Sequence, residues 1–243
     1  MSIAGDALRD AGHRNVRRRS SRIVRGLLLG ALAGLTGSAA ASVPREPLAQ
    51  QAQNSADFGA ETGSADARQV ANWVTATRDN HGLPFIIVDK KEAKVFVFDS
   101  HGQIRGAAPA LLGLARGDDT VPGIGQRRLA SIRPDERTTP AGRFEAAIGN
   151  DFEQDVLWID YDSGLSLHRV IVGSPADRRH ARLASPTPLD NRISYGCINV
   201  PARFYDTIVA PAFRGTVGIV YILPETRPIA AVFPIPAAAT PRP

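Results

Sequence analysis

The stretch FIIVDKKEAKVFVFDSHGQIRGAAPALLG, residues 85–113, sets the fold class. Phe85–Val88 and Ala93–Phe98 are short runs dominated by β-branched and aromatic side chains, and the charged turn Asp89–Glu92 joins them. A second turn at Asp99–Gln103 leads into a third run, Ile104–Leu112. Such runs suit a pleated, half-buried surface and lack the 3.6-residue period of a helix. Three in succession, separated by polar turns, predict a β-meander.

Working upstream, Ala67, Val70, Trp73, Val74 and Thr77 recur at helical spacing, and Asp79–Gly82 supplies a stop. This predicts a short helix with Trp73 in the core. Residues 42–63 hold few large apolar side chains and no periodicity, so 42–82 reads as a linker plus that helix. Downstream, Gly113–Phe144 is polar and rich in Gly and Pro, which makes it a long loop with a strand starting near Arg143. Asp155–Val172 offers two strands around a turn at Asp162–Gly164, and Gly173–Arg192 is a second irregular stretch. PARFYDTIVAPAF, residues 201–213, opens with proline at a plausible first helical position and puts Phe204, Ile208 and Val209 on one face. Thr216–Leu223 is a last strand and residues 225–243 form a Pro-rich tail. The expectation is one mainly β domain over residues 83–224, with a short helix after the cysteine and two long loops of the kind that carry function.

The N-terminus reads differently. Arg17–Arg25, RRRSSRIVR, runs into an apolar stretch of about a dozen residues and then into small residues fitting an Ala-x-Ala cleavage pattern at Ala39 and Ala41. Residues 1–41 are therefore expected to be a secretory signal peptide. The apolar run falls short of the length that spans a bilayer, and the expected location is the periplasm or cell wall. The formal charge of +5 belongs largely to this segment, which holds seven arginines. The rest is close to neutral, and a chain without a basic patch on its folded part gives no support to nucleic-acid binding.

Export sharpens the question of the single cysteine, Cys197, in ISYGCINV (residues 193–200). Exported domains use cysteines in pairs, so an odd one is an intermolecular bridge, a reactive thiol or a buried small hydrophobe. Reactivity requires a thiolate, hence a base or a favourable field. Among five histidines, His168 stands apart: in GLSLHRV, Leu165 and Leu167 point one way and Ser166 and His168 the other. Gly196 clears space beside the sulfur. Backbone N–H groups of Gly196 and Cys197, near the start of the following helix, are candidate oxyanion donors and thiolate supports. A Cys–His pair with such donors is machinery for acyl transfer. No His/Asp/Glu cluster has metal-ligand spacing, and the chemistry calls for no cofactor.

These residues resemble the catalytic domain of the L,D-transpeptidases, bacterial cell-wall enzymes. That family carries a strand histidine, a loop, and then Ser/Thr-His-Gly-Cys followed by a hydrophobic residue and Asn or Arg. Here the match is His168 and then Ser194, Tyr195, Gly196, Cys197, Ile198 and Asn199, with VDKKEAKVFVFDSHGQI resembling the family's opening hairpin and TTPAGRFEA (Thr138–Ala146) its Thr-Pro-x-Gly-x-Phe segment. The resemblance implies a β-sandwich-like fold, Cys197 as nucleophile, His168 as general base, and Ser194, Gly196 and Asn199 shaping the site. It implies peptidoglycan tetrapeptide stems as donors. The acyl acceptor would be an amine of a second stem, an outer-membrane lipoprotein lysine, or water, the last giving L,D-carboxypeptidase activity. Acylation of the thiol by carbapenems is implied too. Tyr195 departs from the family's usual histidine, and the other reading is a wall-binding relative that kept the fold and lost turnover. The interval between His168 and Ser194 is also longer than usual. Its Arg178, Arg179 and Arg182 are candidates for holding stem carboxylates, since a guanidinium fork matches a carboxylate.

Overall fold

The computed structural model describes residues 55–151 and 154–235; the expected signal peptide lies outside them. Helix α1 (Ala65–Thr77) is followed by β1 (Phe85–Asp89), β2 (Lys94–Phe98), β3 (Ile104–Pro109) and the short β4 (Leu112–Gly113). After the first long loop come β5 (Gly142–Asp151), β6 (Gln154–Asp160) and β7 (Leu165–Arg169). The second loop carries α2 (Arg179–Leu183) and leads to β8 (Arg192–Ser194) and β9 (Ile198–Val200). Helices α3 (Ala202–Phe204) and α4 (Ala210–Phe213) flank a π-helical turn at Tyr205–Val209, and β10 (Val217–Ile222) closes the series.

The fold is mainly β. Eight strands form one sheet in the order β3-β2-β1-β10-β5-β6-β7-β9, and β4 pairs with β8 separately. The meander β1-β2-β3 is antiparallel, whereas β1–β10 and β7–β9 are parallel. All five residues of β1 are buried, because the sheet is covered on both faces and such a strand reads as an unbroken apolar run. Alternation sorts its side chains: Phe85, Ile87, Phe96, Phe98, Ile219 and Tyr221 face α1, while Ile86, Val88, Val95, Val97, Val220 and Ile222 face the opposite core. That second core also contains Leu157, Leu165, Leu167, Ile198 and Val200 from the other end of the sheet. Strands at opposite ends share one core only if the sheet curls over. Its edges meet where Leu111, just past β3, exchanges backbone hydrogen bonds of 2.8 and 2.9 Å with Asn199 of β9. The sandwich-like expectation is met by this curling of one sheet.

Helix α1 forms where the apolar period placed it. Ser64 caps its N-terminus by accepting from the Ala67 N–H at 3.0 Å, and Arg78 in the left-handed region ends it. Trp73 meets Tyr221 edge-on, with ring centroids 6.1 Å apart.

Three features differ from expectation. The stretch 42–63 does not stay a linker to its end: Phe58 is 3% exposed and packs edge-on against Phe96 and Phe98, and Asp57 bridges to Gln103. One aromatic among polar residues leaves no periodic trace. The Pro-rich tail also folds back, burying Ile229, Phe233 and Ile235 in the α1-side core. Finally, the cysteine is followed first by strand β9, and the helical segment beyond it is interrupted. Pro211 has no N–H to return to the preceding turn, and the chain widens there into a π turn.

Candidate functional site

Strand β7 delivers the histidine. Leu165 and Leu167 sink into the core, and Ser166 and His168 take the other face. Because β7 and β9 run parallel with Leu167 opposite Ile198 and His168 opposite Asn199, Cys197 arrives beside Ser166 and His168. The half-buried sulfur lies 3.6 Å from Ser166 Oγ, which donates to it, and 3.4 Å from the Gly164 carbonyl. The His168 imidazole, on the same face of β7, acts on the sulfur through hydrogen bonding and charge. Nδ1 of His168 sits 2.7 Å from the Arg169 carbonyl oxygen. A carbonyl can only accept, so Nδ1 carries the proton and Nε2 keeps a lone pair for the thiol.

The electrostatics follow from this contact. Burial opposes charge on either group, yet the hydrogen bond and charge coupling between them outweigh it. The net result raises the His168 pKa above its usual value and lowers that of Cys197, with Ser166 adding to the latter. Both shifts favour the imidazolium–thiolate form, the reactive one, relative to the ordinary values of the two groups.

The turn before the sulfur is held tightly. Ser194 Oγ accepts from the Gly196 N–H at 3.1 Å and donates to the Cys197 carbonyl at 2.6 Å, and Asn199 Nδ2 donates to the same carbonyl at 3.2 Å. Gly196 has φ +139°, and a Cβ there would stand 2.8 Å from the Thr138 carbonyl. Both facts require glycine. Tyr195 turns away from the sulfur, its ring lying under the Arg137 guanidinium at 4.0 Å.

Two expectations are corrected. The Gly196 N–H is taken by Ser194, so it is not an oxyanion donor. Nor does a helix begin at the sulfur, since β9 intervenes and α3 starts at Ala202. His168 and Ser166 give the thiolate the support assigned to a helix end.

The arginines separate. Arg179 reaches the signature, donating from Nη1 to Asn199 Oδ1 at 3.1 Å while Nε contacts Asp177 at 3.1 Å. Arg182 braces its own loop by donating to the carbonyls of Asp177 and Asp190. Arg178 is exposed in the left-handed region. Arg192 spends its fork on Glu225. Among the described residues, no group of three or more His, Cys, Asp or Glu side chains is arranged to hold a metal ion. Sequence reasoning named Ser166 only as a neighbour of His168. The same period of two that selected the histidine also places that hydroxyl at the sulfur. The Gly164 and Arg169 carbonyls, being main chain, left no sequence signal.

No family model matches the chain, and none of the curated proteins does. Solved structures do. The helical cell shape determining protein Pgp2 of Campylobacter jejuni is similar at 15% identity and a TM-score of 0.38, over 60% of this chain and 49% of that one. The chain thus spans about half the length of that protein. An L,D-transpeptidase of Xylanimonas cellulosilytica is similar at 14% identity and a TM-score of 0.32, over 58% and 60% of the two chains. The catalytic domain of an L,D-transpeptidase of E. faecium is similar at 18% identity and a TM-score of 0.31, over 57% and 95%. Among the described residues, no helix is long and apolar enough to cross a membrane.

Proposed function

We propose that this protein is a cysteine acyltransferase of the L,D-transpeptidase kind, exported to act on peptidoglycan tetrapeptide stems. The observation that carries the reading is the parallel register of β7 and β9, which sets Cys197 beside a histidine whose Nδ1 is pinned to a main-chain carbonyl. The residues His168, Ser194, Gly196, Cys197 and Asn199, which resemble that family's signature, supply the substrate class.

In the acylation step, Nε2 of His168 takes the thiol proton as Sγ bonds to the carbonyl carbon on the L-centre of the third stem residue, and the carbonyl electron pair moves to oxygen. The Cys197 N–H is the main-chain donor at this oxygen. Collapse re-forms the carbonyl and breaks the bond to the terminal D-alanine, whose nitrogen collects the proton from the imidazolium. The thioester that remains is attacked by an amine of a second stem, by a lipoprotein lysine or by water, each giving its proton to Nε2. The sulfur departs as a thiolate held by Ser166 and His168. General base catalysis of this kind contributes roughly 10²–10⁴-fold. Ser194 and Asn199, both bonded to the Cys197 carbonyl, keep the nucleophile's main chain still, and Arg179, bonded to Asn199, is the loop arginine assigned to a stem carboxylate.

Intact-mass measurement after mixing with a carbapenem tests the reactive site. One adduct is expected on the native chain and none on Cys197→Ala. A well-folded native chain that acquires no adduct would leave the non-catalytic wall-binding reading in its place. Product analysis with purified muropeptides then identifies the acceptor, as a cross-linked dimer, a lipoprotein conjugate or a trimmed tripeptide.

A further inference from the structure

The segment Thr138–Ala146 resembles a family motif but has no part in the chemistry so far. Its second threonine is fully buried, at 0% exposure, and its hydroxyl joins two distant pieces of chain. Thr139 Oγ1 accepts from the Gly113 N–H at 2.9 Å and donates to the Gly196 carbonyl at 2.7 Å. Its own carbonyl accepts from Lys90 Nζ at 2.8 Å, and that buried ammonium is held in turn by the Gly117 carbonyl at 2.6 Å and by Asp118 at 2.8 Å. The threonine is therefore clamped from behind while it grips the nucleophile's turn.

The Gly196 carbonyl belongs to the same peptide unit as the Cys197 N–H, and in a trans peptide the two point in opposite directions within one plane. No peptide bond in the described chain is cis. Fixing the carbonyl on Thr139 therefore fixes the direction of the N–H, which points away from the buried hydroxyl. We propose that Thr139 is a positioning residue for the oxyanion donor: by pinning the Gly196 carbonyl, it aims the Cys197 N–H at the place where negative charge develops during acylation. This rests on the nucleophile reading above and adds to it the group that orients the main chain.

The test separates two reactions of one sulfur. Carbapenem acylation passes through an oxyanion, whereas alkylation by iodoacetamide needs only the thiolate. Replacing the hydroxyl in Thr139→Val should slow carbapenem acylation about tenfold or more, since losing one well-aimed oxyanion donor outright costs roughly 10²–10³. Alkylation should stay within about threefold of the native rate. Thr139→Ser, which keeps the hydroxyl, should restore acylation. Thr139→Ala takes the place of the valine variant, with the same expectation, should valine prevent folding. Equal losses in both reactions, or no loss in either, would overturn the proposal. A native chain that is alkylated but never acylated would instead remove the acyl-transfer reading on which it stands.

Discussion

His168 and Cys197 are 29 positions apart in sequence and come together because two parallel strands carry them into register. The contact gives a direction for pH dependence. Burial alone would hold the thiol protonated, but His168 and Ser166 overcome it, so the sulfur ionises at lower pH than an isolated thiol. Its alkylation should rise at lower pH than that of free cysteine. In His168→Asn the burial remains and the main counter-charge is gone, so the rate profile should move up the pH scale, past the free-cysteine value. Ser166→Ala should shift it the same way by less. A profile for His168→Asn that coincides with the native one would show that the imidazole does not act on the sulfur. Both members of the Cys197–His168 pair were legible in sequence, one through its rarity and the other through strand alternation. What fixes the tautomer was not, because every residue has a main-chain carbonyl and only the fold aims that of Arg169 at Nδ1.

Among the elements, the loop between β7 and β8 is where side-chain type misleads most. Its arginines look alike in sequence, yet Arg179 alone bonds to the signature, through Asn199, while Arg182 is spent on main-chain carbonyls and Arg192 on Glu225. Steady-state kinetics on tetrapeptide donors should distinguish them. Arg179→Ala should raise KM about tenfold, roughly the worth of one charge-assisted hydrogen bond, and leave kcat within a few-fold. Arg178→Ala, at an exposed position, should change neither. An unchanged KM in Arg179→Ala would dispose of a carboxylate-holding role for the loop. The N-terminal segment makes the complementary point. Phe58 looked like part of a linker and is a wedge between α1 and the β1–β2 hairpin. Phe58→Ala should cost about 3–5 kcal/mol in urea unfolding, with Cys197 alkylation unchanged in the folded protein.

At the scale of the whole molecule, the meander was readable because polar turns separate its short β-branched and aromatic runs, and the strand carrying His168 because apolar and polar side chains alternate along it. The closure of the sheet and the return of residues 225–235 were not, since both depend on partners distant in sequence, Asn199 for Leu111 and Asp118 for Glu225. A buried ionic cluster binds these distant parts. Lys90 from the first hairpin contacts Asp118 at 2.8 Å and Glu225 at 3.8 Å, and Arg192 at the start of β8 contacts Glu225 at 2.5 Å. Asp118 also accepts from the amides of Glu225, Thr226 and Arg227. Burial draws Lys90 below its usual pKa in spite of these partners, so the cluster adds less attraction than its distances suggest, and its weight lies in fixing geometry. Burial would raise Asp118 as well, but the Lys90, Thr226 and main-chain donors hold its carboxyl far below the ordinary range. A group depressed in the folded state stabilises above its unfolded pKa, near 4 for aspartate, and loses that contribution as pH falls towards the folded value. Native stability should therefore decline steeply below about pH 4. Asp118→Asn leaves Lys90 without its nearest counter-charge, so it should lower stability at neutral pH by about 3–5 kcal/mol and flatten the acid limb. Urea midpoints measured across that range check both effects. A variant as acid-sensitive as the native chain would place the origin of the decline in some other carboxylate.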